Sequence, residues 1–113
     1  MSIQYVENSF RKIDDKTIEF KIKNMAGSGS VSVSPKIFLD NKDVTEKASM
    51  KIRESEFKKI EQKMDLDARY GDEITIRINL DEKIEPGIHN IKTQIEVNWP
   101  IWITLKSEFK VKV

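Results

Sequence analysis

Strict alternation of apolar and polar residues is the feature that most constrains the fold of this chain. Between Glu73 and Leu80 every second residue is isoleucine or leucine, and the residues between them are all polar. The same period of two runs through Thr17–Lys23 and Ile91–Trp99. Because successive side chains of a β-strand point to opposite faces, this period predicts strands with one buried and one wet face.

The choice of apolar residues also favours strands. The chain contains 16 Ile and 7 Val but only 4 Leu and 3 Ala, and β-branched side chains suit a pleated surface better than a helix. We predict further strands with weaker patterns, separated by turns at Asp40–Lys42, Tyr70–Asp72 and Glu85–Gly87. These strands are expected near residues 3–10, 31–40, 48–53 and 107–113.

One segment has a different period. Phe57, Ile60 and Met64 are spaced as on one face of a helix, with polar residues between them. The spacing predicts a short amphipathic helix around 54–64 that caps one end of a β core.

Six to seven short strands and one short helix indicate an all-β fold. We expect one domain over residues 1–113, an antiparallel β-sandwich of immunoglobulin-like architecture. An up-and-down barrel is the alternative, but Pro35 and Pro100 favour open edges, since proline cannot donate to a sheet ladder. The Cys…Trp…Cys pattern of true immunoglobulin domains is absent because the chain has no cysteine.

Composition excludes several classes of function. The 20 Lys and Arg balance 19 Asp and Glu, which argues against nucleic acid as a partner. No apolar run is long enough for a membrane span, and the first residues do not resemble a secretory signal. Together with the lack of cysteine, these features lead us to expect a cytoplasmic protein without disulfides or thiolate metal sites.

No catalytic, cofactor-binding or metal-binding residue is predicted. His89 is the only histidine, and we expect it to be a partly exposed residue beside a turn. Asp65 and Asp67 are the weak candidates for metal or acid–base chemistry, with a loop rim as the default interpretation. Most other carboxylates, including Glu19, occupy outward strand positions beside Lys and Arg, as solvated side chains do.

An apolar cluster, Trp99-Pro100-Ile101-Trp102-Ile103, is the candidate binding surface. Trp99 continues the inward parity of its strand and is expected in the core, whereas at least one large side chain among Ile101, Trp102 and Ile103 should lie near the surface. The cluster could close the core, contact a partner or stack on sugar rings. With Phe38, an aromatic residue on a polar parity, these five residues form the predicted partner interface.

Short turn motifs carry a resemblance to a known family. These motifs are Glu7-Asn8-Ser9-Phe10-Arg11 before the first long strand, the Phe38–Val44 hairpin, Tyr70-Gly71-Asp72, Glu85-Pro86-Gly87-Ile88-His89 and Asn98-Trp99-Pro100. In this respect the chain resembles the small β subunit of bacterial C-glycoside deglycosidases.

The resemblance implies a β-sandwich without catalytic residues of its own. In that family the small subunit pairs with a larger, sugar-isomerase-like (β/α)₈ barrel that holds the metal and the catalytic groups. The family's Pro-Tyr-Tyr-Arg-Gly segment is replaced here by Asn24–Ser30, so Asn24, Met25 and Ser28 are expected near the partner's site. The alternatives are a free-standing module for carbohydrate or protein, and self-association through the strand near Pro35.

Overall fold

Two antiparallel β-sheets packed face to face make up the protein in a computed structural model that describes residues 1–113. The strands are β1 (Ile3–Tyr5), β2 (Arg11–Asp14), β3 (Thr17–Asn24), β4 (Gly29–Leu39), β5 (Lys42–Asp43), β6 (Ala48–Ile52), β7 (Lys58–Lys59), β8 (Met64–Ala68), β9 (Glu73–Asn79), β10 (Ile88–Trp99) and β11 (Ile103–Lys112). The only helical element is one 3₁₀ turn, Thr45–Lys47. No helix has the length and apolar character needed to span a membrane.

The first sheet has the order β1-β3-β9-β6-β7, with β2 also pairing with β3. The second sheet has the order β11-β10-β4-β5, with β8 also pairing with β4. This arrangement confirms the predicted all-β sandwich. It contains more strands than predicted because short strands such as β2, β5 and β7 have no alternating pattern of their own and form by pairing with longer neighbours.

The core lies between the sheets and follows the predicted alternation. In the first sheet Ile18, Phe20 and Ile22 of β3 lie opposite the three isoleucines of β9, and all six side chains are buried. The second sheet contributes Val33, Ile37, Ile91, Ile95 and Val97. Burying one such side chain contributes roughly 1.5–3 kcal/mol to folding, which makes these strands the main source of stability.

The predicted helix around 54–64 is wrong. Lys58 and Lys59 instead form β7 and pair with Met50 and Ser49 of β6. The three apolar residues of the helical pattern do not share a face. Ile60 and Met64 are buried in the core, whereas the Phe57 ring lies under the guanidinium of Arg77 on the outer face of the first sheet, 4.3 Å away. The three residues therefore have helical spacing in the sequence, although their side chains lie in two separate environments.

Pro35 does not break β4 or place it at the edge of the sheet. The strand continues through Pro35, which lies opposite Ile95 of β10. The N–H of Ile37 points away from β10 and donates to the Thr45 hydroxyl, so the Pro35 nitrogen, two residues earlier, also points away from β10. On that side Pro35 falls between β8 and β5, where no ladder donor is needed.

Candidate functional site

One end of the sandwich carries a cluster of exposed apolar side chains. Here β10 ends at Trp99, a cis peptide bond joins Trp99 to Pro100, and β11 begins at Ile103. Trp99 is 59% exposed, Ile101 51% and Trp102 75%. We call residues Trp99–Trp102 the tryptophan corner. Its two indole rings and one isoleucine form a contiguous stretch of large hydrophobic residues on the surface.

The prediction that Trp99 lies in the core is wrong. A β-bulge shifts the register of β10 against β4 between Val97 and Trp99. A bulge adds one residue to one strand, so the side chain after it points to the opposite face. Val97 is therefore buried, whereas Trp99 points outward. The expectation that at least one large side chain among Ile101, Trp102 and Ile103 lies near the surface is confirmed, because Ile101 and Trp102 are exposed.

Behind the tryptophan corner lies an apolar cavity of about 270 Å³ that opens at the same end of the sandwich. The corner contributes Pro100 and Ile101 to its lining, and the half-buried Ile103 follows. The opposite side of the mouth is formed by the β3–β4 loop, including Asn24 and Ser28. Both sheets supply the walls, with Val33, Leu66, Ile74, Ile95, Val97 and Leu105. The structure thus brings part of each predicted set of site residues to one cavity: Asn24 and Ser28 of the loop set, and Pro100, Ile101 and Ile103 of the interface set.

Asn24 shapes the loop at the mouth of the cavity. Its buried side-chain amide donates to the carbonyls of Gly27 at 2.8 Å and Arg69 at 2.9 Å, and its Oδ1 accepts from the Ala26 N–H at 2.9 Å. One side chain thereby joins the β3–β4 loop to the turn before β9. Ser28 extends this link, because its hydroxyl oxygen accepts from the Tyr70 N–H.

Two predicted site residues lie away from the cavity. Met25 is half-buried and pairs through its main chain with Ser2. Phe38 lies on the outer face of β4, where Lys92 Nζ sits 4.7 Å from its ring centroid. Six residues of β4 separate Phe38 from Ser32, the residue opposite Trp99, a distance of about 20 Å along the strand. Phe38 is therefore not part of the tryptophan corner.

A row of polar side chains adjoins Trp99 on the outer face of the second sheet. Ser32 lies opposite both Trp99 of β10 and Asp65 of β8, and its hydroxyl donates to Asp65 Oδ1 at 2.5 Å. Ser30 lies opposite Asp67 one step further along. We call these five residues, which line one shallow depression, the Trp99 shelf. No group of three or more His, Cys, Asp or Glu side chains could hold a metal ion.

The sequence patterns did not reveal the Trp99 shelf as a site. Asp65 and Asp67 stood out only as weak candidates for metal or acid–base chemistry, and no sequence pattern connected them with Ser30, Ser32 or Trp99. The sequence did not indicate that β8 pairs with β4. The reason is that β8 begins at the end of the segment that was expected to be helical.

His89 is held in place by two polar contacts. Its Nδ1 lies 2.6 Å from Asp40 Oδ2, and its Nε2 lies 2.6 Å from the Glu85 carbonyl oxygen. The Asp40 carboxylate, and then the Glu85 carbonyl, raise the pKa of His89 above its usual value. Only 13% of the side chain is exposed, less than we expected for a turn residue. These contacts tie the turn before β10 to the β4–β5 turn, which is a structural role.

Glu19 differs from the predicted solvated carboxylate. It is only 6% exposed, and its two oxygens accept from Arg11 at 2.7 Å and Arg77 at 2.8 Å. Burial alone would raise its pKa, but hydrogen bonds from the two guanidinium groups outweigh burial and lower the pKa below the usual value. Glu19 therefore stays ionised and links β2, β3 and β9.

Comparisons with known proteins give only distant structural neighbours. No protein-family model and no curated protein matches it. A conjugate transposon protein from Bacteroides vulgatus is 17% identical, with a TM-score of 0.48 over 99% of this chain and 85% of that one. The self-complemented fimbrial subunit MyfA from Yersinia enterocolitica is 12% identical, with a TM-score of 0.46 over 99% and 98%.

A family 123 glycoside hydrolase from Clostridium perfringens is 10% identical, with a TM-score of 0.47 over 98% of this chain. The chain spans only 27% of that enzyme. These neighbours differ widely from one another in kind, so their functions do not carry over to this protein.

Proposed function

We propose that this protein is a non-catalytic accessory module that binds a larger partner protein through the tryptophan corner. The observation that carries the proposal is the joint exposure of Trp99, Ile101 and Trp102 in one short segment, of which Ile101 also lines an apolar cavity. Large aromatic anchors beside an apolar pocket are the usual centre of a protein interface. Exposed apolar patches of this kind commonly mark binding surfaces.

The cavity gives the interface a specific shape. Its volume of about 270 Å³ is just below the usual volume of ligand sites, roughly 300–1,000 Å³. It suits one or two apolar side chains of a partner that insert between Ile101 and the β3–β4 loop.

The family resemblance suggests which partner to test. Small subunits of bacterial C-glycoside deglycosidases pair with a sugar-isomerase-like (β/α)₈ barrel, and we propose a barrel of this class as the partner. Asn24–Ser30 replaces the tyrosine- and arginine-containing segment of that family and lies at the cavity mouth. Any contribution of this loop to the partner's substrate site would therefore differ from that of the family.

Co-expression with a barrel enzyme encoded beside this protein's gene tests the proposal. We expect the two chains to elute together in size-exclusion chromatography. We expect Ile101→Asp to abolish the complex, because a charge would have to be buried in an apolar interface. If the wild-type protein elutes alone in the presence of the barrel enzyme, the proposed partner is wrong.

A second candidate function is carbohydrate binding, favoured by the two exposed indole rings. Aromatic faces at the rim of a β-sandwich can stack on sugar rings. Titration of oligosaccharides followed by tryptophan fluorescence tests this candidate, and an unchanged spectrum would exclude it for the sugars used.

A further inference from the structure

The Trp99 shelf carries negative charge that the protein does not neutralise. Asp65 and Asp67 are exposed, and neither takes part in an ion pair. Glu96, two positions from Asn98 on the same outer face, has no ion pair either. Arg53 approaches β8, but it donates to the Asp67 carbonyl oxygen and pairs with the Asp72 carboxylate.

The basic residues around the shelf do not form ion pairs with it. Lys36 and Lys106 both lie opposite Gln94, five residues before Trp99 in β10. Lys63 and Arg69 flank β8 in sequence without pairing with its carboxylates. The chain as a whole has almost equal numbers of acidic and basic residues, so this unpaired acidic row is a local feature.

The hydrogen-bonding groups of the shelf are mostly acceptors, and its remaining donors are the Ser30 hydroxyl and the Trp99 indole N–H. Ionised Asp65 and Asp67 can only accept hydrogen bonds. The Ser32 hydroxyl already donates its hydrogen to Asp65. A sugar hydroxyl both donates and accepts, so it would find few donors here. A guanidinium group only donates, through five N–H bonds in a planar fork.

The Trp99 ring favours the same type of ligand. The face of an indole carries partial negative charge and attracts cations, and tryptophan is the best side chain for this contact. Trp99 and Asp65 lie on either side of Ser32, so their main chains are about 10 Å apart across three strands. A planar guanidinium stacked on the ring can reach the carboxylates from there.

We propose that the Trp99 shelf binds an arginine side chain of the partner protein, stacked on Trp99 and hydrogen-bonded to Asp65 and Asp67. The inference rests on the proposed function, because the shelf adjoins the tryptophan corner and would be covered by the same partner. It adds a charge requirement: the partner surface presents an arginine beside the apolar side chains that enter the cavity.

Titration of the ¹⁵N-labelled protein with N-acetyl-arginine amide tests the proposal without the partner. The two indole N–H resonances, assigned with Trp99→Phe and Trp102→Phe, report on the shelf and on a neighbouring indole outside it. We expect a saturable shift of the Trp99 resonance with a dissociation constant in the millimolar range and a smaller shift for Trp102. N-acetyl-citrulline amide, the neutral isostere, should bind at least about fivefold more weakly, in line with charge-assisted hydrogen bonding.

The Asp65→Asn/Asp67→Asn double variant should lose the response, whereas Glu108→Gln, an exposed carboxylate on β11, should retain it. Far-UV circular dichroism checks that both variants fold. Equal shifts with arginine and citrulline, or no shift with either, would overturn the proposal. Saturable shifts with the methyl glycosides of glucose, galactose or mannose that survive the double variant would also overturn it and identify a sugar platform.

The arginine titration and the co-expression test of the proposed function can fail independently. If the Trp99 shelf does not bind the arginine derivative but Ile101→Asp still abolishes the partner complex, only the present inference is refuted. If the Trp99 shelf binds the arginine derivative but Ile101→Asp does not affect the partner complex, the proposed docking surface is refuted instead.

Discussion

Thr93 has the only buried side-chain oxygen or nitrogen without a hydrogen-bond partner. Its position on the inward face of β10 follows the alternation of that strand, which places a hydroxyl among isoleucines. Among single residues, a few polar side chains decide local stability. The Thr93 hydroxyl has no hydrogen-bond partner, whereas the side chains of Glu19 and His89 each contact two partners.

We expect Thr93→Val to raise the free energy of unfolding by about 1 kcal/mol, because valine has the same shape and removes an unsatisfied polar group. Urea unfolding measures the change. Thr17→Val is the matched control, since the Thr17 hydroxyl donates to Asn79, and it should lower the free energy of unfolding. A loss of stability in both variants would contradict the assignment of Thr93.

The raised pKa of His89 makes stability depend on pH. A histidine whose pKa is higher in the folded state than in the unfolded state stabilises the fold below its unfolded pKa of 6.5. This contribution is lost as pH rises through the folded-state pKa. The NMR titration midpoint of His89, the only histidine, should lie above 6.5 and fall in Asp40→Asn but not in Asp43→Asn. A wild-type midpoint at or below 6.5 would exclude the ion pair.

Single elements show where sequence patterns suffice and where they fail. The patterns of β3, β9 and most of β10 placed the core correctly, because alternation depends only on the faces of one strand. Trp99 was misplaced because a bulge depends on how β10 pairs with β4. The segment 54–64 was misassigned because its apolar residues meet different neighbours, which a periodic pattern in one chain segment does not specify.

The β3–β4 loop is an element whose shape depends on one buried amide. We expect Asn24→Ala to lower the free energy of unfolding by about 2 kcal/mol, because it leaves carbonyl and N–H groups without partners. Ser28→Ala, which removes one exposed acceptor, should cost less than about 1 kcal/mol. Urea unfolding compares the two variants, and amide exchange at Ala26, whose N–H donates to Asn24 Oδ1, should quicken in Asn24→Ala. Equal costs would show that Asn24 does not organise the loop.

At the scale of the whole molecule, the two ends of an elongated sandwich measuring 41 × 27 × 24 Å have different roles. One end is closed by the contacts of His89 with Asp40 and Glu85. The other end is open, with the tryptophan corner and the β3–β4 loop around an apolar cavity. The sequence indicated both groups of residues at the open end, but only the pairing of the sheets brings them to one mouth beside the Trp99 shelf.

If the tryptophan corner is the docking surface, a substitution in the corner should weaken binding and a matched substitution at the far end of β10 should not. Ile101 lies in the corner, and Ile88, 71% exposed, lies at the opposite end of β10, about 36 Å from Trp99 along the strand. The measurement is the dissociation constant of the complex with the barrel enzyme, by calorimetry. We predict that Ile101→Asp weakens binding at least about tenfold, as loss of an interface anchor does, and that Ile88→Asp leaves it unchanged. Equal effects of the two substitutions, or a larger effect of Ile88→Asp, would contradict the claim.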